Sequence, residues 1–323
     1  MRLDVLLPTY NRASLLRRTL DSLIAARRPA DLQVAVIVID NNSTDHTAEV
    51  VAHYRSLLPN LEYVFEARQG LSAALNAGIC IGTSELIATI NDDEEVDSAW
   101  FEVIHEFFLN PEFDFAGGPY KPNWAHTKPD WIPSEFGAVV GWVEAGNQRR
   151  EYGPGFNAML MGGNAVFRRH VFEKVGLFNI ALGRSAKGLA SCEDEDMFGR
   201  ILAANFRGMY LPELIIHHYI PPERLTRAYH RRWCWGRGAS YGMLARGRKQ
   251  QVAQLFGVPR WQIRRATAGA LSALKGMLGL APASESFAGE LRVWDLAGYI
   301  YGRFFRRMPR TPAQPVPMPE HAA

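Results

Sequence analysis

Ile87-Ala88-Thr89-Ile90-Asn91-Asp92-Asp93-Glu94-Glu95 begins as a strand and ends as a block of carboxylates. An apolar run of this kind suits a strand buried on both faces, whereas four consecutive acids cannot be core. In an open α/β sheet the carboxyl ends of parallel strands face the crevice where ligands bind. Adjacent carboxylates there can hold a divalent cation against a phosphate. Metal-assisted handling of a phosphorylated substrate is one reading. The other is a strand followed by the acidic first turn of a helix, with Glu94, Glu95 and Asp97 near the positive end of its dipole. This segment alone leaves both open.

Working outward, Leu3-Asp4-Val5-Leu6-Leu7 is β-prone and stops at Pro8-Thr9-Tyr10-Asn11-Arg12, where proline is expected to end the ladder. A helix is predicted from Ser14 to Ala26, with Leu15, Leu16, Leu20, Leu23 and Ile24 on one face. Val34-Ala35-Val36-Ile37-Val38-Ile39 reads as a strand buried on both faces. It ends at Asp40-Asn41-Asn42-Ser43-Thr44-Asp45, where Ser43 or Thr44 is expected to cap a helix running to about Leu57. Three strands thus end in polar residues, at Thr9, Asp40 and Asp92. This βαβαβα start predicts a doubly wound parallel sheet with one polar crevice. Neither Gly-x-Gly-x-x-Gly after the first strand nor Gly-x-x-x-x-Gly-Lys occurs, which disfavours dinucleotide dehydrogenases and P-loop enzymes.

Six segments in order resemble the family 2 glycosyltransferases of the GT-A fold, over roughly residues 1 to 240. They are Pro8-Thr9-Tyr10-Asn11-Arg12, Asp40 to Asp45, Gly70-Leu71-Ser72-Ala73-Ala74-Leu75-Asn76-Ala77-Gly78, Asn91-Asp92-Asp93, Gly162-Gly163-Asn164-Ala165-Val166-Phe167-Arg168-Arg169, and Glu193-Asp194-Glu195-Asp196. The resemblance implies a mostly parallel, Rossmann-like sheet flanked by helices. It also implies inverting transfer of a sugar from a nucleotide diphosphate to a hydroxyl acceptor in cell-surface polysaccharide or glycolipid synthesis, with Mn2+ or Mg2+ as cofactor. Pro8, Thr9, Tyr10, Arg12, Asp40, Asn42, Arg68, Asn76 and Asp92 would then serve the donor, with Tyr10 offering an aromatic face and Asp40 an acceptor for a uracil-like ring N–H. Asp93 stands where the family's metal-binding Asp-x-Asp ends, and Asn91 replaces its first aspartate. Leu75 replaces an arginine that many members carry.

In the second half the resemblance makes Asp194 the general base, with Gly163, Asn164 and Glu193 near the sugar and acceptor, and His218 completing the metal shell. A carboxylate suits the base, because the hydroxyl acidifies only as the new bond forms. Read without the family, the four acids at Glu193 favour the N-terminus of an amphipathic helix, the two glycines form a turn, and His217 and His218 follow a strand, Leu214-Ile215-Ile216. Residues 117 to 160 hold Trp124, Trp131 and Trp142 among prolines and glycines. Trp131 and Trp142 suit stacking on an acceptor sugar, and equally pegs that fasten a long loop.

The chain has 323 residues and 47% hydrophobic content, enough for one large domain with an appendage. The division expected is a catalytic domain over 1–240, split near 116 into nucleotide and acceptor halves, then a basic helical region over 241–310 and a disordered tail over 311–323. Three scattered cysteines and no signal peptide before Arg2 predict a reducing cytoplasm, with possible attachment at the inner membrane face. Net charge is +3, yet residues 241–323 carry 12 Lys and Arg against 4 Asp and Glu. Arginines beside Trp and Phe there suit helices lying on an anionic membrane; a basic helical pair covering protein fits the same pattern. Nucleic-acid binding lacks a signature and meets an acidic crevice. Nucleotidyl transfer would want a glycine-rich basic loop where Thr9-Tyr10-Asn11-Arg12 stands.

Overall fold

The structure is a computed structural model that describes residues 1–156, 158–184, 192–247 and 252–306; the expected disordered tail at 311–323 lies outside them. Strand β1 (Arg2–Thr9) pairs in parallel with β2 (Gln33–Asp40) along its whole length, so Pro8 does not end the ladder. The other neighbour, β4 (Leu86–Thr89), pairs only as far as Leu6. Thr9 accepts from Asn41 N–H on the β2 side, so by alternation Pro8 turns its missing N–H toward the side where β4 has already stopped.

Helix α1 (Ala13–Ala25) joins β1 to β2 and buries Leu16, Thr19, Leu20 and Leu23, while Ile24 is exposed. Thr19 takes an inward position because its hydroxyl donates to the Asp92 carbonyl at 3.1 Å. Helix α2 (Thr47–Tyr54) is shorter than predicted at both ends. Asp45, rather than Ser43 or Thr44, accepts the free N–H of Thr47, at 3.1 Å. Ser43 and Thr44 instead bind Asn11 and so tie the two strand-tip loops together. Strand β3 (Leu61–Phe65) and helix α3 (Leu71–Ile81) complete the repeat before β4.

After the acids the chain does not enter a helix. Residues Glu94–Val96 form a short strand, β5, and helix α4 (Trp100–Phe108) begins beyond it. Strands β6 (Phe115–Gly117), β7 (Tyr120–Trp124), β8 (Arg150–Glu151) and β9 (Ala165–Arg168) follow, then helices α5 (Arg169–Val175) and α6 (Glu193–Ala203), and strands β10 (Gly208–Tyr210) and β11 (Ile216–Ile220). The main sheet has eight strands in the order β3-β2-β1-β4-β9-β6-β10-β8, with β9 antiparallel to both neighbours. A second sheet, β5-β11-β7, stands at the strand tips. His217 and His218 are the second and third residues of β11, inside the strand rather than after one that ends at Ile216.

Helices α7 (Arg227–Leu244), α8 (Arg260–Met277) and α9 (Ala283–Ile300) pack together, and α7 runs unbroken across position 240. At several glycines they touch backbone to backbone. A Cβ on Gly298 would lie 2.2 Å from the Trp235 carbonyl oxygen, and one on Gly238 would lie 2.1 Å from that of Asp295. Gly269 and Gly289 meet in the same way between α8 and α9. Among the described residues no helix is long and apolar enough to cross a membrane.

Candidate active site

A cleft of roughly 660 Å³ opens where β1, β4 and the second sheet meet. Its floor is the acidic block. Asp92 accepts from the Thr9 hydroxyl at 2.9 Å and from Arg12 at 3.0 Å. Asp93 accepts from Arg12 at 3.1 Å and from Arg224 at 2.7 Å, with His218 Nε2 3.6 Å away. Glu94 turns back to accept from the backbone N–H and side-chain amide of Asn91, at 2.6 and 2.8 Å. The β5–β11 pairing fixes this turn, since His218 lies opposite Glu94 in the ladder.

These carboxylates differ electrically. Burial alone pushes each toward the neutral form, and Asp92 and Glu94 are raised above the ordinary carboxylate range, Glu94 well above it with Asp93 adding to the effect. For Asp93 the burial is outweighed by His218, Arg224 and Arg12, which hold it ionised well below that range. Burial lowers His218 to about 4, so the ring is neutral at pH 7. A guanidinium can only donate, so the 2.9 Å contact from Arg224 makes Nε2 the acceptor, its lone pair directed at Arg224 and the ring proton on Nδ1. Ligand atoms of Asp93, Glu94 and His218 lie within 4.8 Å of one another. Two carboxylates and an unprotonated imidazole fit Mn2+ or Mg2+.

Across the cleft, α6 presents Asp194 from its first turn, where Gly162 N–H donates to it at 3.0 Å. A Cβ on Gly162 would sit 2.1 Å from the carboxylate, so only glycine admits this approach. Gly163 is likewise required, since its Cβ would fall 2.3 Å from the Asn91 amide. Removal from water, then the neighbouring Glu193 and Glu195, raises Asp194 well above the ordinary range. Burial raises Glu193 to about 7.

Pro8, Thr9, Tyr10, Arg12, Asp92, Asp93, Gly163, Glu193, Asp194 and His218 all line the cleft. Asp40 does not; its carboxylate accepts from Ser43 N–H and the Tyr63 hydroxyl. Asn42 is exposed with positive φ in the neighbouring loop, and Arg68 pairs with Glu66. Asn76 spans α3 to Phe178 with two 2.8 Å bonds, and buried Asn164 holds Trp100 and the Leu214 carbonyl. Trp131 lies edge-on to His230 and Phe287, the peg arrangement, and Trp142 lies under Lys128; neither reaches the cleft. Glu94, Arg184 and Arg224 line it without having been marked by the sequence. Glu94 was within reach of the argument as the third acid of the block, whereas nothing local distinguishes the two arginines.

The sequence model for glycosyl transferase family 2 matches residues 4–176, more than half of the chain. The chain belongs to glycosyl transferase family 2. This glycosyltransferase is 26% identical over 261 residues to the succinoglycan biosynthesis protein ExoM of Rhizobium meliloti, covering 80% of each chain. It is 28% identical over 190 residues to the glucosyl-dolichyl phosphate glucuronosyltransferase of Haloferax volcanii, covering 57% of this chain and 58% of that one. Among solved structures it resembles the mannosyltransferase PcManGT of Pyrobaculum calidifontis, seen with GDP-Man and Mn2+. The TM-score is 0.64, with 19% identity, 95% of this chain and 88% of that one covered. Staphylococcus aureus TarS, residues 1–349 with UDP, gives a TM-score of 0.54 at 16% identity, covering 94% and 90%. These likenesses bear out the GT-A fold, its mostly parallel sheet and the helices that follow it.

Proposed function

We propose that this glycosyltransferase moves a sugar from a nucleotide diphosphate to a hydroxyl acceptor by one inverting displacement, in polysaccharide or glycolipid synthesis. The observation that carries this is the meeting of ionised Asp93, neutral His218 and Glu94 with Arg12, Arg184 and Arg224 on one wall, opposite Asp194. A diphosphate leaving group needs that positive charge, and an attacking hydroxyl needs a carboxylate. Asp93, His218 and Glu94 would hold Mn2+ or Mg2+, which supplies Lewis-acid stabilisation of the leaving diphosphate. Arg12 and Arg184 flank the same phosphates, Tyr10 lies at the rim for the base, and Asp194 takes the acceptor proton as the hydroxyl attacks the anomeric carbon. Asp194 must first lose its own proton, and approach of Arg184 or a cation favours that loss.

The uracil preference rests on Asp40 and Tyr10; Tyr10 lines the cleft and Asp40 is turned away from it, so UDP- and GDP-sugars are both tested. PcManGT and TarS carry GDP-Man and UDP in their solved structures, which supports that pair of probes. Thermal shift with each nucleotide, with and without Mn2+, then transfer or donor hydrolysis, is the experiment. A ligand at about 100 times its Kd stabilises by ~2.7 kcal/mol. No shift with any nucleotide diphosphate at any Mn2+ concentration would overturn the reading.

The acceptor is proposed to be lipid-linked, with α8 resting on an anionic membrane. In support, Arg260, Arg264, Leu271, Leu274 and, just past the helix end, Leu278 recur at helical spacing on the exposed side of α8, with Met277 and Leu280 exposed beside them.

A further inference from the structure

Arg224 ends the short turn Pro222–Arg224 that follows β11, and it is 6% exposed. Its guanidinium donates to His218 Nε2 at 2.9 Å and to Asp93 Oδ2 at 2.7 Å. Those two atoms belong to the group suited to a divalent ion. Asp93 Oδ2 also accepts from Arg12 at 3.1 Å, so one carboxylate oxygen already serves two guanidiniums. The lone pair of His218 is fully used by Arg224, because a neutral imidazole has one acceptor nitrogen.

A divalent ion that takes the Nε2 lone pair of His218 therefore displaces Arg224 from it, and the guanidinium beside Asp93 opposes the ion's charge. Like charges crowded in a water-poor site repel strongly, and a buried guanidinium released without a new anionic partner pays the cost of an unpaired charge. A diphosphate lying in the cleft offers a replacement partner. Arg224 is a lining residue of that cleft, within the wall that the phosphates would face.

Resting on the donor reading above, we propose that Arg224 is the resident cation of this site. It holds Asp93 and His218 in register while no donor is bound, and passes its charge to the diphosphate when a divalent ion arrives. Cation and nucleotide then bind as a coupled pair, because each removes the penalty the other would meet alone. Arg224 is thus a positioning residue in the free enzyme and a leaving-group contact in the loaded one.

The test measures free Mn2+ by electron paramagnetic resonance, titrated into the full-length wild type, Arg224→Gln and Arg224→Lys, each alone and with UDP or GDP. In the wild type Mn2+ alone is expected to bind weakly, and at least ~10-fold more tightly with one nucleotide, the usual scale of coupling between linked sites. Arg224→Gln should bind Mn2+ alone more tightly than the wild type and lose most of the coupling. Arg224→Lys keeps a cation that reaches one partner rather than two, and should fall between them. Mn2+ binding by Arg224→Gln no tighter than by the wild type, or an undiminished coupling factor, would overturn the proposal. Should Arg224→Gln not fold by circular dichroism, the lysine variant decides by the same comparison, and a wild type whose Mn2+ affinity ignores both nucleotides overturns the proposal without either variant. Failure of the donor reading shows separately, as no thermal shift with any nucleotide; the effect of Arg224 on Mn2+ alone does not depend on it.

Discussion

In the cleft, position is held by hydrogen bonds to buried carboxylates: Thr9 and Arg12 on Asp92, Arg224 on Asp93, Asn91 on Glu94, Gly162 N–H on Asp194. In the C-terminal helices Gly238, Gly298, Gly269 and Gly289 let backbones touch, and the pairs Arg231–Glu290 and Arg237–Asp295 tie α7 to α9 beside them. The first region concentrates buried charge, which favours chemistry and opposes stability. The second pairs its charges across α7 and α9 and leaves a leucine-rich stripe along α8 in water. Substitutions should therefore separate cleanly, costing turnover in one region and cohesion in the other.

The largest effect is expected at Asp93→Asn. Losing the one strongly ionised carboxylate of the metal group removes several kcal/mol of leaving-group stabilisation, or ~10³ and more in rate. Turnover with Mn2+ should fall to background while the circular dichroism spectrum is unchanged. A variant that keeps its turnover would take Asp93 out of the metal site.

Next comes Asp194→Asn, with kcat lower by at least ~10² and donor affinity within a few fold. Stability should move the other way. A carboxyl whose folded pKa is raised stabilises the fold fully below its unfolded pKa, and that contribution is lost as pH climbs through the folded pKa. At pH 7 the wild type carries this cost and asparagine does not, so the variant should melt higher. The difference should shrink toward pH 4. The wild type's rate should also fall with acid at a pH above the ordinary carboxylate range. A melting difference that is independent of pH would show that burial does not shift Asp194.

Much of the cleft was legible because strand tips announce themselves: an apolar run ending at Thr9, Asp40 or Asp92 says where a parallel sheet opens. Arg224 was not legible, since it enters through the β5–β11–β7 sheet, which pairs residues far apart in sequence. Asp40, Asn76 and Asn164 carry the family's motif yet hold backbone loops in place, a difference that spacing cannot reveal. Position 240 falls inside α7, whose Gly238 and Gly242 face the backbone of α9, a pairing that spacing alone does not reveal.

A smaller effect is expected at Gly298→Val in α9. Its Cβ would lie 2.2 Å from the Trp235 carbonyl oxygen, a backbone atom that no rotamer change can move. Overpacking of this kind costs about 1–3 kcal/mol. The melting temperature should drop by a few degrees, while kcat per folded molecule stays within about twofold. Loss of turnover out of proportion to unfolding would mean that the helices shape the cleft as well as follow it.

The smallest effect concerns the exposed face of α8 and sharpens the contrast most, because no contact among the described residues covers it. Leu271, Leu274 and Leu278 are 62%, 53% and 65% exposed, with Arg264 and Lys275 exposed beside them. If this face rests on an anionic leaflet, each leucine adds apolar burial worth about 1 kcal/mol or more, and each basic residue adds ~1 kcal/mol that salt screens. Leu274→Asp with Leu278→Asp should then lower the vesicle-bound fraction in flotation with phosphatidylserine liposomes, and leave the melting temperature unchanged because both side chains already face water. Raising salt should release the wild type in turn. A wild type that stays off the vesicles at low salt, yet sediments as a dimer that the double variant dissociates, would assign the stripe to a second copy of the chain.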